Sequence, residues 1–266
     1  MNTALREALS PVPAAVNASR LLDPRSLGPG DHRAEPKAAA SPDPVEVAIN
    51  LAPPGSCSAG GTTTFVVLDE SAGVTGSGGN DPLSRRHAEA ALAIRHVAAA
   101  CRCRRDRVAL VPFDRGSAGF VAPQPLTRNG LRTITRGLQR LSHGMGLSSE
   151  LGPPLDYVET QASQQRGDVA LVVFSDLLLT DQNPSTVLTR LRAFPGYVHA
   201  VVLGAIPPSV LVDDPYVAVT RLTPSTPPGE AAHAVFDGLN HYRSPSSTTG
   251  SAAHPTESPH RKELSA

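Results

Sequence analysis

Short unbroken apolar runs alternate with helical periodicities through the middle of the chain. Thr62-Thr-Thr-Phe-Val-Val-Leu68 is β-branched or apolar throughout, as expected of a strand buried on both faces. Val108–Phe113, Val169–Phe174, Tyr197–Leu203 and Val217–Leu222 repeat the pattern, and Pro112 predicts an edge or bulged position for the second run. Between the runs lie predicted helices. One begins at Asn80-Asp81-Pro82, where Asn80 or Asp81 caps and Pro82 fills the first turn, and continues to about Arg102 with Ala88, Ala91, Leu92, Ile94, Val97 and Ala98 on its apolar face. Leu131, Ile134, Leu138 and Leu141 recur at helical spacing. Further helices are predicted from Leu151 through Tyr157, with Pro153 and Pro154 in the first turn, over Pro184–Ala193, and over Gly229–Tyr242.

Strands alternating with helices imply a three-layer α/β fold of Rossmann-like type: a mainly parallel central sheet with helices on both faces, because each parallel pair needs a crossover that deposits a helix. Ligands of such sheets sit at the carboxyl ends of the strands. That directs attention to the loops after Leu68, before Leu151 and after Phe174.

Composition sets the boundaries. Residues 1–61 are Pro/Ala-rich and read as a mostly disordered N-terminal arm, residues 62–243 as the folded domain and residues 244–266 as a disordered tail. Within the arm, Val45–Leu51 alternates briefly, as an edge strand or a linker would, and is left outside the core. Lys+Arg 24 against Asp+Glu 24 leaves a formal net charge of 0, so nothing draws the chain to nucleic acid or to a membrane surface. The run Arg102, Arg104, Arg105 and Arg107 follows a predicted helix, where cations meet the negative end of its dipole. The sequence shows no secretory leader and no apolar stretch of membrane length, and the cysteines do not describe a disulfide framework. A cytoplasmic protein is expected.

Cys101 and Cys103 stand two apart near a helix end, where helical geometry points them in different directions, and they are expected to be incidental. His87, His96, His143 and His199 are scattered singly and read as surface or satisfied core residues. Glu70, just past the first strand, is expected to be solvated.

The three loops do carry a common chemistry. Asp69 and Ser71 lie on the first, Ser149 on the second (Ser148 if the register shifts by one) and Asp176 on the third. All are oxygen donors, the ligand type of Mg²⁺ or Mn²⁺, which commonly retain several waters. Each also has a structural reading, as a turn former or helix cap.

With these residues in order, residues 62–243 resemble a von Willebrand factor type A (VWA) domain with its metal-ion-dependent adhesion site. The family's Asp-x-Ser-x-Ser motif reads Asp69-Glu70-Ser71-Ala72-Gly73, Ser149 stands where the family has a threonine, and Phe174-Ser175-Asp176 matches its apolar strand and aspartate. The resemblance implies that Ser71 and Ser149 bind Mg²⁺ or Mn²⁺ through their hydroxyls, that Asp69 and Asp176 act mostly through water or hydrogen bonds, and that a protein partner adds a carboxylate. Gly73 departs from the pattern, since glycine supplies no hydroxyl; a water, Thr75 or Ser77 would fill the gap. The Gly that follows the family's last aspartate is also missing. A protein-binding module of the kind found in bacterial intracellular assemblies is the leading expectation, and a metal-independent scaffold of the same fold is the alternative. A haloacid-dehalogenase-like phosphatase using Asp69 ranks lower, because Ser71 replaces its second aspartate and no lysine lies between Lys37 and Lys262.

Overall fold

The computed structural model describes residues 49–76, 79–80, 85–101, 103–142 and 146–244. The arm before residue 49, the tail after residue 244, and the predicted roles of Ser77, Asp81, Pro82, Arg102 and His143 lie outside the described residues.

Six strands form one sheet: β1 (Thr62–Leu68), β2 (Arg107–Pro112), β3 (Val121–Pro125), β4 (Asp168–Ser175), β5 (Tyr197–Leu203) and β6 (Val217–Leu222). Their order is β3-β2-β1-β4-β5-β6. Every pairing is parallel except β2 with β3. The helices are α1 (Ala72–Thr75), α2 (Arg86–Ala100), α3 (Arg128–Leu141), α4 (Gly152–Ser163), α5 (Pro184–Arg192), α6 (Ser209–Val212) and α7 (Glu230–Asn240). This is the expected three-layer α/β fold.

Alternation along each buried strand sends its side chains into two cores. Val66, Leu68, Val108, Leu110, Val172, Phe174, Val201 and Leu203 pack with residues of α2, α3 and α7 on one face. Phe65, Val67, Ala109, Val111, Leu171, Val173, Ala200 and Val202 pack with residues of α4, α5 and α6 on the other. A strand with water on one face would show polar alternation; β1 is buried at all its positions, as its composition requires.

Two local expectations change. β2 is interior, between β1 and β3, and Pro112 ends it; the irregularity lies earlier, where the register with β3 shifts between Val108 and Leu110. The edge on that side is β3, whose Val-Ala-Pro-Gln-Pro sequence carries the two prolines that an edge tolerates. Leu51, left outside the core by its polar surroundings, is buried among the side chains of α2 and α7, and Ile49 packs beside it. That segment is stitched down by a backbone bridge between Ser56 and Ser244 and by a hydrogen bond between His96 Nε2 and the Ala52 carbonyl, 2.9 Å.

Candidate functional site

Parallel strands deliver the ends of β1 and β4 to one edge of the sheet, with Leu68 paired to Phe174. The Asp69 N–H still donates to the Phe174 carbonyl (2.9 Å) before the chains diverge. Asp69 is therefore fixed by the sheet itself, and it is 1% exposed. Its Oδ1 accepts the Ser71 N–H at 2.9 Å and its Oδ2 accepts the Ser175 hydroxyl at 2.7 Å. Burial pushes the Asp69 carboxyl above the usual aspartate range, and the hydrogen bonds from Ser175 and Ser71 oppose that rise without cancelling it.

Asp176 follows β4. Its Oδ1 accepts the Leu178 N–H (3.0 Å) and its Oδ2 accepts the Asn80 side-chain amide (3.1 Å). The Ser175 hydroxyl ties the Asp69 carboxylate to the turn that carries Asp176, since it also accepts the Leu177 N–H at 2.9 Å. Leu177, at the position where the family resemblance calls for glycine, has φ +57°. A leucine thus holds a left-handed turn here, at a cost of roughly 1–2 kcal/mol, and its side chain is buried in the second core.

Ser71 is buried, and its carbonyl accepts the Val74 and Thr75 N–H groups that open the short α1. Gly73 faces the same hollow: a Cβ there would stand 3.7 Å from Asp176 Oδ2 and 4.0 Å from Ser71 Oγ. Thr75 does not fill the gap, because its hydroxyl donates back to the Ser71 carbonyl at 3.0 Å. The segment carrying Ser149 runs beside this loop. The Gly146 N–H donates to the Glu70 carbonyl (2.7 Å), Ser71 and Gly146 form a bridge, and the Thr180 N–H donates to the Ser149 carbonyl (3.2 Å). Among the described residues no hydrogen bond joins the half-buried Ser149 side chain to Asp69, Ser71 or Asp176. Ser148 is occupied in a turn, its Oγ accepting the Glu150 N–H at 3.1 Å.

Asp69, Ser71, Gly73 and Asp176 therefore converge, while Ser149 is not brought into contact with them: its segment meets the first loop at Gly146, and its own carbonyl is bound by Thr180. Carboxylate and hydroxyl oxygens around a hollow lined by glycine suit a hard divalent cation that keeps several waters. Bound there, such an ion would supply a positive centre for an incoming carboxylate.

Beneath the site lies a charge cluster that the sequence reading missed. Glu70 is buried, not solvated: Arg86 Nη2 lies 3.0 Å from its Oε2 and His87 Nε2 2.8 Å from its Oε1. Arg86 Nη2 also donates to the Asp69 carbonyl at 3.1 Å. Arg86 is 1% exposed. Its position in the first turn of α2, one helical turn before Ala90 and on the same face, was the available signal. Asp181 was missed as well. Its carboxylate accepts the Leu151 and Gly152 N–H groups (2.9 and 2.8 Å), capping the start of α4 from the next loop.

No family model matches the chain, and no curated protein does. Among solved structures it is similar to three N-terminal domains of the type V pili tip protein Mfa5 from Porphyromonas gingivalis, at 16% identity and TM-score 0.35, over 44% of this chain and 20% of that one. The manganese-loaded TRAP protein of Plasmodium vivax is similar at 10% identity and TM-score 0.44, over 67% of this chain and 73% of that one. A von Willebrand factor type A protein from Catenulispora acidiphila is similar at 10% identity and TM-score 0.45, over 67% of this chain and 42% of that one. The chain thus spans less than half the length of the first and last of these proteins, and its three-layer α/β architecture stands on the strand order described above.

Proposed function

We propose that the chain is a VWA-like, non-enzymatic protein-binding module that engages an acidic residue of a partner through Mg²⁺ or Mn²⁺ at the carboxyl edge of the sheet. The observation that carries this reading is the convergence of Asp69, Ser71 and Asp176 around the Gly73 hollow. Ser149 would complete the oxygen set from the neighbouring loop. Two large apolar side chains stand in solvent on the loops that carry Asp176 and Ser149, Leu178 at 63% and Leu147 at 94% exposure, which suits a macromolecular partner. Against a phosphoryl-accepting role, both Asp69 oxygens are engaged and the carboxylate is buried, so Asp69 presents no oxygen to an incoming phosphate.

One observation favours a second reading, a metal-independent scaffold of the same fold. The Asn80 amide donates to Asp176 Oδ2, a neutral donor taking an oxygen that a cation would use. Thermal melting separates the two. In chelator-free buffer, Mg²⁺ or Mn²⁺ at a hundredfold over its dissociation constant should add ~2.7 kcal/mol and raise the melting temperature by roughly 5–10 °C. Asp69→Asn, which keeps the hydrogen-bonding shape, should abolish the rise. A melting temperature indifferent to both ions at saturating concentration would favour the scaffold.

A further inference from the structure

At the opposite edge of the sheet all three cysteines of the chain come together. Cys57 Sγ lies 3.5 Å from Cys101 Sγ, and Cys101 Sγ 3.5 Å from Cys103 Sγ. Asp106 Oδ2 is 3.8 Å from Cys101 Sγ. One ligand atom from each of these four residues lies within 4.8 Å of all the others. The expectation that Cys101 and Cys103 point apart fails because α2 ends at Ala100. Cys101 is its extended C-cap (ψ 101°), and Arg104 turns the chain at φ +56°, folding Cys103 back toward Cys101.

We propose that Cys57, Cys101, Cys103 and Asp106 form a tetrahedral Zn²⁺ site. Four donors around zinc, with Zn–S of about 2.3 Å, stand about 3.8 Å apart along each edge of the tetrahedron, close to the spacings here. Disulfide-bonded sulfurs would be about 2.05 Å apart. Three sulfurs and one carboxylate select zinc over the hard ions suited to the Asp69 face.

The surroundings are built for such a centre. The Arg105 N–H donates to Cys103 Sγ at 3.4 Å, and a donor aimed at sulfur favours the thiolate that binds metal. Both Asp106 oxygens are held: its Oδ1 accepts the Thr62 N–H (3.0 Å), and its Oδ2, the oxygen nearest Cys101 Sγ, is also paired with Arg243, whose side chain is fully buried. Outer contacts of this kind fix a ligand's direction. Arg243 also offsets the negative charge of three thiolates and a carboxylate around one dication. On binding, three S–H protons leave to solvent, three S–Zn bonds form and no electron moves.

The site gathers distant pieces of chain: Cys57 from the segment before β1, Cys101 and Cys103 from the α2–β2 turn, and Arg243 from beyond α7. Arg243 Nη1 donates to the Gly55 carbonyl at 2.9 Å, and Ser56 bridges Ser244 beside it. Zinc here would fasten the segment before β1 to the body of the domain.

The full 266-residue chain, purified under reducing conditions without chelator, should carry one zinc per molecule by elemental analysis. After zinc removal, Co²⁺ should give a sulfur-to-cobalt charge-transfer band and the intense visible bands of a tetrahedral ion. Cys103→Ser should lose both signals, and Asp106→Asn should weaken zinc about 10–100-fold, with circular dichroism reporting that each variant is folded. If either variant fails to fold, the cobalt titration of the unaltered chain decides. Folded protein with neither zinc nor cobalt bands in excess metal would overturn the proposal, as would an intact mass showing a disulfide in freshly prepared reduced protein. The Mg²⁺ or Mn²⁺ response at Asp69 is independent of these outcomes.

Discussion

Arg86→Met is expected to destabilise the domain by about 3–5 kcal/mol, because it leaves a buried carboxylate without its main counter-charge. Glu70 has a side chain 5% exposed, and Arg86 is its cationic partner at 3.0 Å. His87 remains at 2.8 Å, yet the Asp69 carbonyl also loses its Arg86 donor. For a domain of this size the melting temperature should fall by roughly 10 °C or more. Replacing both partners, Arg86→Met with Glu70→Leu, removes the stranded charge and should cost less than Arg86→Met alone. Urea denaturation of the single and double variants gives that coupling directly. If the double variant is as unstable as the sum of the two single substitutions, the pair does not act as a buried unit. The cluster bears on function because Arg86 grips the Asp69 backbone carbonyl, and so sets where the loop carrying Ser71 leaves β1.

Acid should weaken the fold through His199 by about 3 kcal/mol between neutral pH and pH 4. Burial on β5 lowers the His199 pKa from 6.5 to about 4, despite a favourable contact with the Ala234 backbone. Its ring nitrogens lie 2.8 Å from Thr220 Oγ1 and 3.3 Å from the Tyr197 hydroxyl, and the Tyr197 phenol, pushed up to about 12 by burial and by Asp237, stays neutral across this window. Between pH 6.5 and about 4 the unfolded chain takes up a proton at this residue and the native protein does not. Stability from the neutral imidazole is therefore complete above 6.5 and is lost as pH falls toward 4. Asp69 acts with the opposite sign, since its raised pKa makes the native state the better proton acceptor just above 3.8. Unfolding free energies from urea titrations at about pH 7 and about pH 4.5 measure the net slope. His199→Gln should flatten it. An equal slope in the variant would assign the acid sensitivity to other groups.

The strands and the buried charges were not equally legible in the sequence. β1 and β5 lie where their apolar runs predict, because a strand buried on both faces leaves an uninterrupted signature; β6 also lies where predicted, although it is a half-buried edge strand. β3 left none, since an edge strand with two prolines has neither the composition nor the alternation that marks strands. Asp69, Ser71 and Asp176 were readable from order and topology, as parallel strands bring their carboxyl ends to one edge. The Glu70–Arg86–His87 cluster was not. A charged residue on an amphipathic helix is assigned to water by default, and only the packing of α2 against β1 reveals where Arg86 points. The cysteines were misjudged for a related reason: helical geometry was carried past Ala100 to about Arg102, and Cys57 is brought to the others by a contact distant in sequence.

Manganese binding by the Gly73→Ser variant separates a metal-dependent Asp69 face from a metal-free one. The added Cβ would meet nothing closer than Asp176 Oδ2 at 3.7 Å and Ser71 Oγ at 4.0 Å, so a serine fits and its hydroxyl joins the same hollow. Calorimetric titration of Mn²⁺ into the full chain should show binding at the Asp69 face, about tenfold tighter in Gly73→Ser if the new oxygen contributes ~1.4 kcal/mol, and abolished in either background by Asp69→Asn. No Mn²⁺ binding by either the unaltered chain or a folded Gly73→Ser variant would contradict the account and leave this face a metal-independent scaffold.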